Sequence, residues 1–187
     1  RDLRRQRQMC IRDRYDAIHH AREPASQQQL IYYMWYLLEN YSSSTEVQSI
    51  VDNTEMYFIP VLNPDGYQYN CDEDPNGGGM YRKNRKPIGS GQFGVDNNRN
   101  YDYDDGNGSV WGTTGISMTV STNNDTYPGT GPFTEVENLA MKWFCENHDF
   151  RLALNNHSHG ITHYCTHMAI KMCKHLKIAP TRLYLQR

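Results

Sequence analysis

YDAIHHAREPASQQQLIYYMWYLLENY, residues 15–41, changes period halfway along. Tyr15–Ile18 reads as a short strand. Leu30, Tyr33, Met34, Leu37, Leu38 and Tyr41 then recur at the spacing of one helix face. Ser26 and Gln29 have capping-box spacing, and Pro24 suits a first helical turn. The Ser42–Ser44 run is the expected end of the helix. A strand running straight into a helix is the building unit of an α/β sheet.

Further along, Met56–Leu62 (MYFIPVL) is a second strand candidate, a continuous run rich in β-branched and aromatic residues. Asn63-Pro64-Asp65-Gly66 gives a turn signal. From there to Pro132 the chain is rich in Gly, Asn and Asp and reads as long, loop-rich sequence, a kind of stretch that is often functional. Thr134 and Glu137 form a second capping-box signature. Val136, Leu139, Ala140, Trp143 and Phe144 then continue a helical stripe, and Arg151–Asn155 reads as another short strand. This order predicts an α/β fold, with a mixed, largely parallel central sheet and flanking helices.

Charge divides the 187 residues. Residues 1–14 hold six Arg and two Asp (+4), and residues 165–187 hold five Lys+Arg and no acid (+5). That leaves eight cations against nineteen acids, or −11, in 15–164, so the net −2 hides an acidic middle. Cations gathered at two dissimilar ends do not make a nucleic-acid surface. No run approaches the length of a membrane span, and the Arg-rich N-terminus has no apolar signal region. The expected organisation is a basic, non-native leader (1–14), an acidic domain (15–164) and an unmatched basic tail (165–187). Five Cys without a C-x-x-C pair suggest neither a zinc knuckle nor a redox motif. A Cys71–Cys145 disulfide and free thiols both fit.

Three places carry chemistry. His20-Ala21-Arg22-Glu23 puts an imidazole and a carboxylate three residues apart at a strand-to-helix junction, a pair that Zn²⁺ accepts. A surface ion pair on a helix N-terminal turn would look the same. Arg82-Lys83-Asn84-Arg85-Lys86 and Asp96-Asn97-Asn98-Arg99-Asn100 hold five of the eight cations of the acidic middle. They read as an anion site, because Arg grips carboxylates bidentately, or as a solvated basic loop. Asn156-His157-Ser158-His159-Gly160 follows a strand, where ligands of open α/β sheets bind. A hydrogen-bonded loop histidine is the alternative.

Taken together, HAREPAS, PVLNPDGYQYN, MYRKNRK, GVDNNRNYD, YPGTGPFTEVE and NNHSHG resemble, in order, the M14 metallocarboxypeptidases, the carboxypeptidase A family. The resemblance spans roughly residues 15–164. It implies that His20, Glu23 and His157 bind one Zn²⁺ and that Arg22 contacts a substrate carbonyl. It implies that Arg85 stabilises the oxyanion and that Asn98 and Arg99 hold the free carboxylate of a peptide C-terminus. Arg82 and Ser158 would line neighbouring subsites. Peptide or protein C-termini are the implied partners, with no nucleic acid and no membrane, and an extracellular location is implied.

Pro24 and His159 stand where animal members carry an aromatic and a Tyr. The family also places a general-base Glu and a Tyr beyond the third ligand. Here the last Glu is Glu146 and the last acid Asp149. The expectation is a truncated, inactive piece. Two further readings are a non-catalytic binder of peptide C-termini and a relative that hydrolyses an acylated amino acid.

Overall fold

The computed structural model of the chain describes residues 11–102, 108, 109, 111 and 121–158. The leader through residue 10, His159 and the tail 165–187 lie outside the described residues.

Ile11–Ala17 forms β1, the central strand of a three-stranded parallel sheet of order β2-β1-β5. It starts before the expected Tyr15, so Ile11–Arg14, set aside in the sequence as part of the leader, belong to the strand. Pro24–Asn40 is α1, Thr45–Asn53 is α2 and Thr54–Ile59 is β2. Pro64–Glu73 is α3, and Pro87–Gly89 and Gln92–Phe93 pair as the antiparallel β3 and β4. Asn97–Arg99 makes one 3₁₀ turn, Val136–Asn147 is α4 and Leu152–Asn156 is β5. The mixed α/β architecture is therefore the one expected, with the central sheet parallel and an antiparallel ribbon apart from it.

The strand alternation of side chains divides β2 between two cores, Met56 and Phe58 on one face and Tyr57 and Ile59 on the other. Tyr15 and Ala17 pack with Leu30 of α1 and with Met56, Phe58 and Leu154. Tyr57 and Ile59 of β2 face Met141 and Cys145 of α4 together with Leu62 and Phe150. Helices thus cover both faces, as a parallel sheet requires. Leu30 and Leu37 are the fully buried members of the α1 stripe, while Leu38 and Tyr41 are exposed. Burying each leucine stabilises by about 1.5–3 kcal/mol.

Four local expectations change. Ser26 does not cap α1: its hydroxyl donates to the Glu23 carbonyl (2.6 Å) and accepts from the Ile18 amide (3.3 Å), tying the strand end to the helix start. Asn63 starts a helix instead of a turn, and its side chain accepts from the Gly66 amide (3.1 Å) as the N-cap of α3. Thr134 is not the cap of α4; its hydroxyl accepts from the Asn100 side chain (2.8 Å). The inward face of α4 is Asn138, Met141 and Cys145, whereas Val136, Leu139 and Trp143 are 74%, 48% and 63% exposed. Asn138 turns that face inward by donating to the Asn97 carbonyl (2.9 Å), and Cys145 by accepting from Arg14 (2.7 Å). Cys71 is exposed and Cys145 buried, and the two are not joined by a disulfide.

Candidate metal centre

Because β1, β2 and β5 run parallel, their C-terminal ends open on one edge of the sheet. Ala17 pairs with Asn156, so the residues that follow each strand emerge side by side. That register brings His20 to His157 across 137 positions of sequence. Ile18 turns the chain between strand and site with a φ of 51°. A left-handed backbone costs a residue with a Cβ about 1–2 kcal/mol. Hydrogen bonds from the Asn63 amide to its carbonyl (3.0 Å) and from its own amide to Ser26 hold it there. After this turn the two adjacent imidazoles go to different partners.

His20 Nδ1 lies 2.7 Å from Glu23 Oε1, and His157 Nδ1 lies 2.7 Å from Glu23 Oε2 and 3.1 Å from His20 Nδ1. The three donor atoms all fall within 4.8 Å of one another. The Ser158 amide donates to Glu23 Oε2 (3.3 Å) and fixes the carboxylate from the far side. Two imidazole nitrogens facing each other across one carboxylate form the donor set of an open zinc site, with two N, one O and room for water. On the opposite side of its ring, His20 Nε2 lies 3.3 Å from Asp96 Oδ1. A carboxylate behind a ligand histidine fixes its tautomer and aims the other nitrogen at the metal. The residues present therefore fit a zinc ion.

Asp96 carries no role in the sequence reading, yet it organises the centre. It is fully buried, accepts from Arg82 Nη2 (2.8 Å) and Nε (3.1 Å), and accepts from the Asn98 amide (2.9 Å). Burial alone would raise its pKa, but the hydrogen bonds from His20 and Arg82 outweigh that and lower it. Glu23 behaves likewise: burial opposes its charge, and His157 and His20 hold it well below the usual carboxylate range. Burial would lower His20, and the hydrogen-bonded Asp96 and Glu23 overcome this and raise it. The sequence signal for Asp96 is its place in the VDNNRN stretch.

The other predicted residues are distributed around this centre. Asn98 Nδ2 lies 3.4 Å from His157 Nε2. Arg99 donates to the Asn98 carbonyl (3.0 Å) from the same 3₁₀ turn. Arg22 pairs with Asp125 (2.8 Å) and donates to the Met80 carbonyl (3.4 Å). The Arg85 guanidinium lies over the Tyr69, Phe93 and Tyr81 rings, 3.8, 4.5 and 5.0 Å from their centroids. Asn63 knits the surrounding loops by donating to the His19 (3.2 Å) and Lys83 (3.1 Å) carbonyls. A Cβ at Gly66 would press into that Lys83 carbonyl, which is why glycine stands there.

One titration prediction follows from His20. A ligand imidazole must be neutral, and Asp96 with Glu23 favours the protonated form of His20. A metal held there would have to displace that proton, so rising pH would strengthen binding. Zinc affinity is expected to climb about tenfold per pH unit below the raised pKa of His20, with proton release on uptake. Titrations in several buffers from acid to neutral pH measure this, and an affinity independent of pH would contradict it.

Comparison with known proteins gives a consistent result. The sequence model of the zinc carboxypeptidase family, Peptidase_M14, matches residues 14–173. Human carboxypeptidase O is 32% identical over 144 residues, covering 75% of this chain and 35% of that protein. An inactive metallocarboxypeptidase of Schizosaccharomyces pombe is 31% identical over 123 residues, covering 65% of this chain and 22% of that protein. The crystal structure of a carboxypeptidase A from Helicoverpa armigera superposes with a TM-score of 0.66 at 27% identity, covering 81% of this chain and 34% of the other. The chain spans about a third of the length of the carboxypeptidases it matches. Among the described residues, no helix is long and apolar enough to cross a membrane.

Proposed function

From the premise that the chain belongs to the M14 zinc carboxypeptidase family, we propose that it carries the zinc-binding and carboxylate-gripping part of an enzyme that removes C-terminal residues from peptides. The observation that carries this reading is the convergence of His20, Glu23 and His157 on one point at the sheet edge. These three residues would hold one Zn²⁺. Bound there, zinc supplies a Lewis acid that polarises the scissile carbonyl and acidifies a water. Asp96 keeps His20 aimed, and the Ser158 amide keeps Glu23 in place.

Asn98 and Arg99 are assigned to the free C-terminal carboxylate, the contact that would make the enzyme an exopeptidase. Arg22 is assigned to a substrate carbonyl, and Arg82 and Ser158 to neighbouring subsites. Arg85 is assigned to the oxyanion, where a fixed cation helps most because charge develops there. The chain is expected to bind zinc and peptide C-termini through these residues. The extracellular setting implied by the resemblance belongs to the same proposal. A second reading, a binder without catalysis, is supported by the relative whose name says it is inactive.

The test is binding of a blocked dipeptide to the zinc-loaded chain, as free acid and as C-terminal amide. The free acid should bind, the amide should bind much more weakly, and Arg99→Met should erase the difference. Equal binding of acid and amide would overturn the assignment.

A further inference from the structure

His19 stands beside a proposed ligand, but its side chain lies elsewhere. It is fully buried and is not one of the three converging groups. Its Nε2 lies 2.9 Å from the Tyr101 hydroxyl, and its Nδ1 lies 3.4 Å from Asp16 Oδ1. Asp16, also fully buried, is paired through Oδ2 with Arg14 Nε at 2.8 Å. Arg14 in turn donates to Cys145 Sγ on α4 (2.7 Å). This polar chain starts on β1, crosses the core under α4 and ends against the metal centre. Its last ring, His19, meets His157 with centroids 5.9 Å apart at 36°.

The bonding order follows from chemistry. The Asp16 carboxylate, 3.4 Å from Nδ1, can only accept, which favours the His19 proton on Nδ1 and leaves Nε2 to accept from the Tyr101 hydroxyl. In that tautomer the Nδ1 proton lies beside the Asp16 carboxylate, close enough for charge attraction but outside hydrogen-bond geometry. With Nε2 on Tyr101 and Nδ1 beside Asp16, His19 stands apart from the three groups that converge on the centre. What it offers His157 is a fixed wall.

The outer nitrogen of His157 has the Asn98 amide at 3.4 Å, and the His19 ring adds a second restraint on the imidazole. His157 enters the centre just beyond the end of β5, and its contacts with Glu23 and His20 all run through Nδ1. His20 has the Asp96 carboxylate behind its ring, and His157 has the His19 ring beside it.

We infer that His19 is a positioning residue of the metal centre: held by Tyr101 and Asp16 inside the core, it fixes the ring of His157 so that Nδ1 faces Glu23 and His20. This inference rests on the zinc reading above. It predicts that altering the buried chain changes metal binding although no ligand is touched.

The test uses cobalt(II), whose visible absorption reports ligand geometry, and zinc competition against a chromophoric chelator. Tyr101→Phe removes only the hydroxyl that orients His19. It should leave the far-ultraviolet circular dichroism unchanged, weaken metal binding about 10–100-fold and shift the cobalt bands. His19→Phe keeps a ring against His157 and should lose less affinity than His19→Ala. Imidazole nitrogen–proton correlation spectra of the unaltered chain should show His19 as the neutral Nδ1–H tautomer.

Unaltered affinity and cobalt bands in folded Tyr101→Phe would overturn the inference and leave the zinc reading standing. So would a His19 proton on Nε2, a result independent of whether any variant folds. If the unaltered chain binds neither cobalt nor zinc, both readings fall together.

Discussion

Glu23→Gln is expected to abolish zinc uptake by the chain while leaving its fold in place. Glu23 is nearly fully buried, and each of its oxygens serves one histidine: Oε1 lies 2.7 Å from His20 and Oε2 2.7 Å from His157. The amide is isosteric, so the packing around α1 survives. It removes the one negative charge among the ligands and makes a poor zinc donor. Changes behind the ligands cost roughly 10–100-fold in affinity. Loss of a ligand that also holds both partners should exceed the upper end of that range. Competition with a zinc-binding dye measures it, with circular dichroism as the check on folding. An affinity within tenfold of the unaltered chain would mean that Glu23 is only a structural partner of the two histidines.

Arg14→Ala should cost the most stability. Arg14 is buried in the sheet, pairs with Asp16 at 2.8 Å and reaches Cys145 on α4. Removing it leaves the Asp16 carboxylate buried without its cation, an error worth about 3–5 kcal/mol. The loss also carries a pH signature. Burial raises Asp16 from 3.8 to about 6 even with Arg14 pulling it down. A raised carboxyl holds its proton longer in the folded chain than in the unfolded one. Stability from this group is therefore full below 3.8 and is lost as pH rises through about 6. Without Arg14 the carboxyl rises further, so the variant should be hurt less at pH 5 than at neutral pH. Denaturant melts at the two pH values test this. The double variant Arg14→Met, Asp16→Leu should recover most of the loss, because a packed apolar pair of similar volume replaces the ions. A loss of less than about 1 kcal/mol for Arg14→Ala would show that the pair contributes little.

These two residues also mark how far the sequence could be read. Glu23 was legible because H-x-x-E is a local spacing and the chemistry of zinc demands such a pair. His157 was legible through the strand that delivers it and the order of motifs around it. Arg14 was not, because six arginines in fourteen residues read as a non-native basic leader. Only the parallel pairing of β1 with β2 and β5 shows that its position is interior. Asp96 was hidden for a related reason. A single Asp in a loop has no period, and its importance arises from His20 and Arg82, which lie 76 and 14 positions away in sequence.

The apolar stripe of α4 is not its buried face: Phe144 packs into the core, but Val136, Leu139 and Trp143 are exposed although they outweigh Asn138, Met141 and Cys145 in apolar character. Two specific bonds, Asn138 to Asn97 and Arg14 to Cys145, decide the orientation against that count. The α/β class survived these errors, since strand-to-helix succession depends on patterning over ten or more residues.

The most direct test of the central claim is X-ray absorption at the zinc edge on the zinc-loaded chain. Two imidazoles and a carboxylate predict a first shell of nitrogen and oxygen at about 2.0–2.2 Å with imidazole outer-shell features and no sulfur. The five cysteines make the alternative concrete. Sulfur neighbours at about 2.3 Å, or no zinc retained after dialysis, would contradict a centre built from His20, Glu23 and His157.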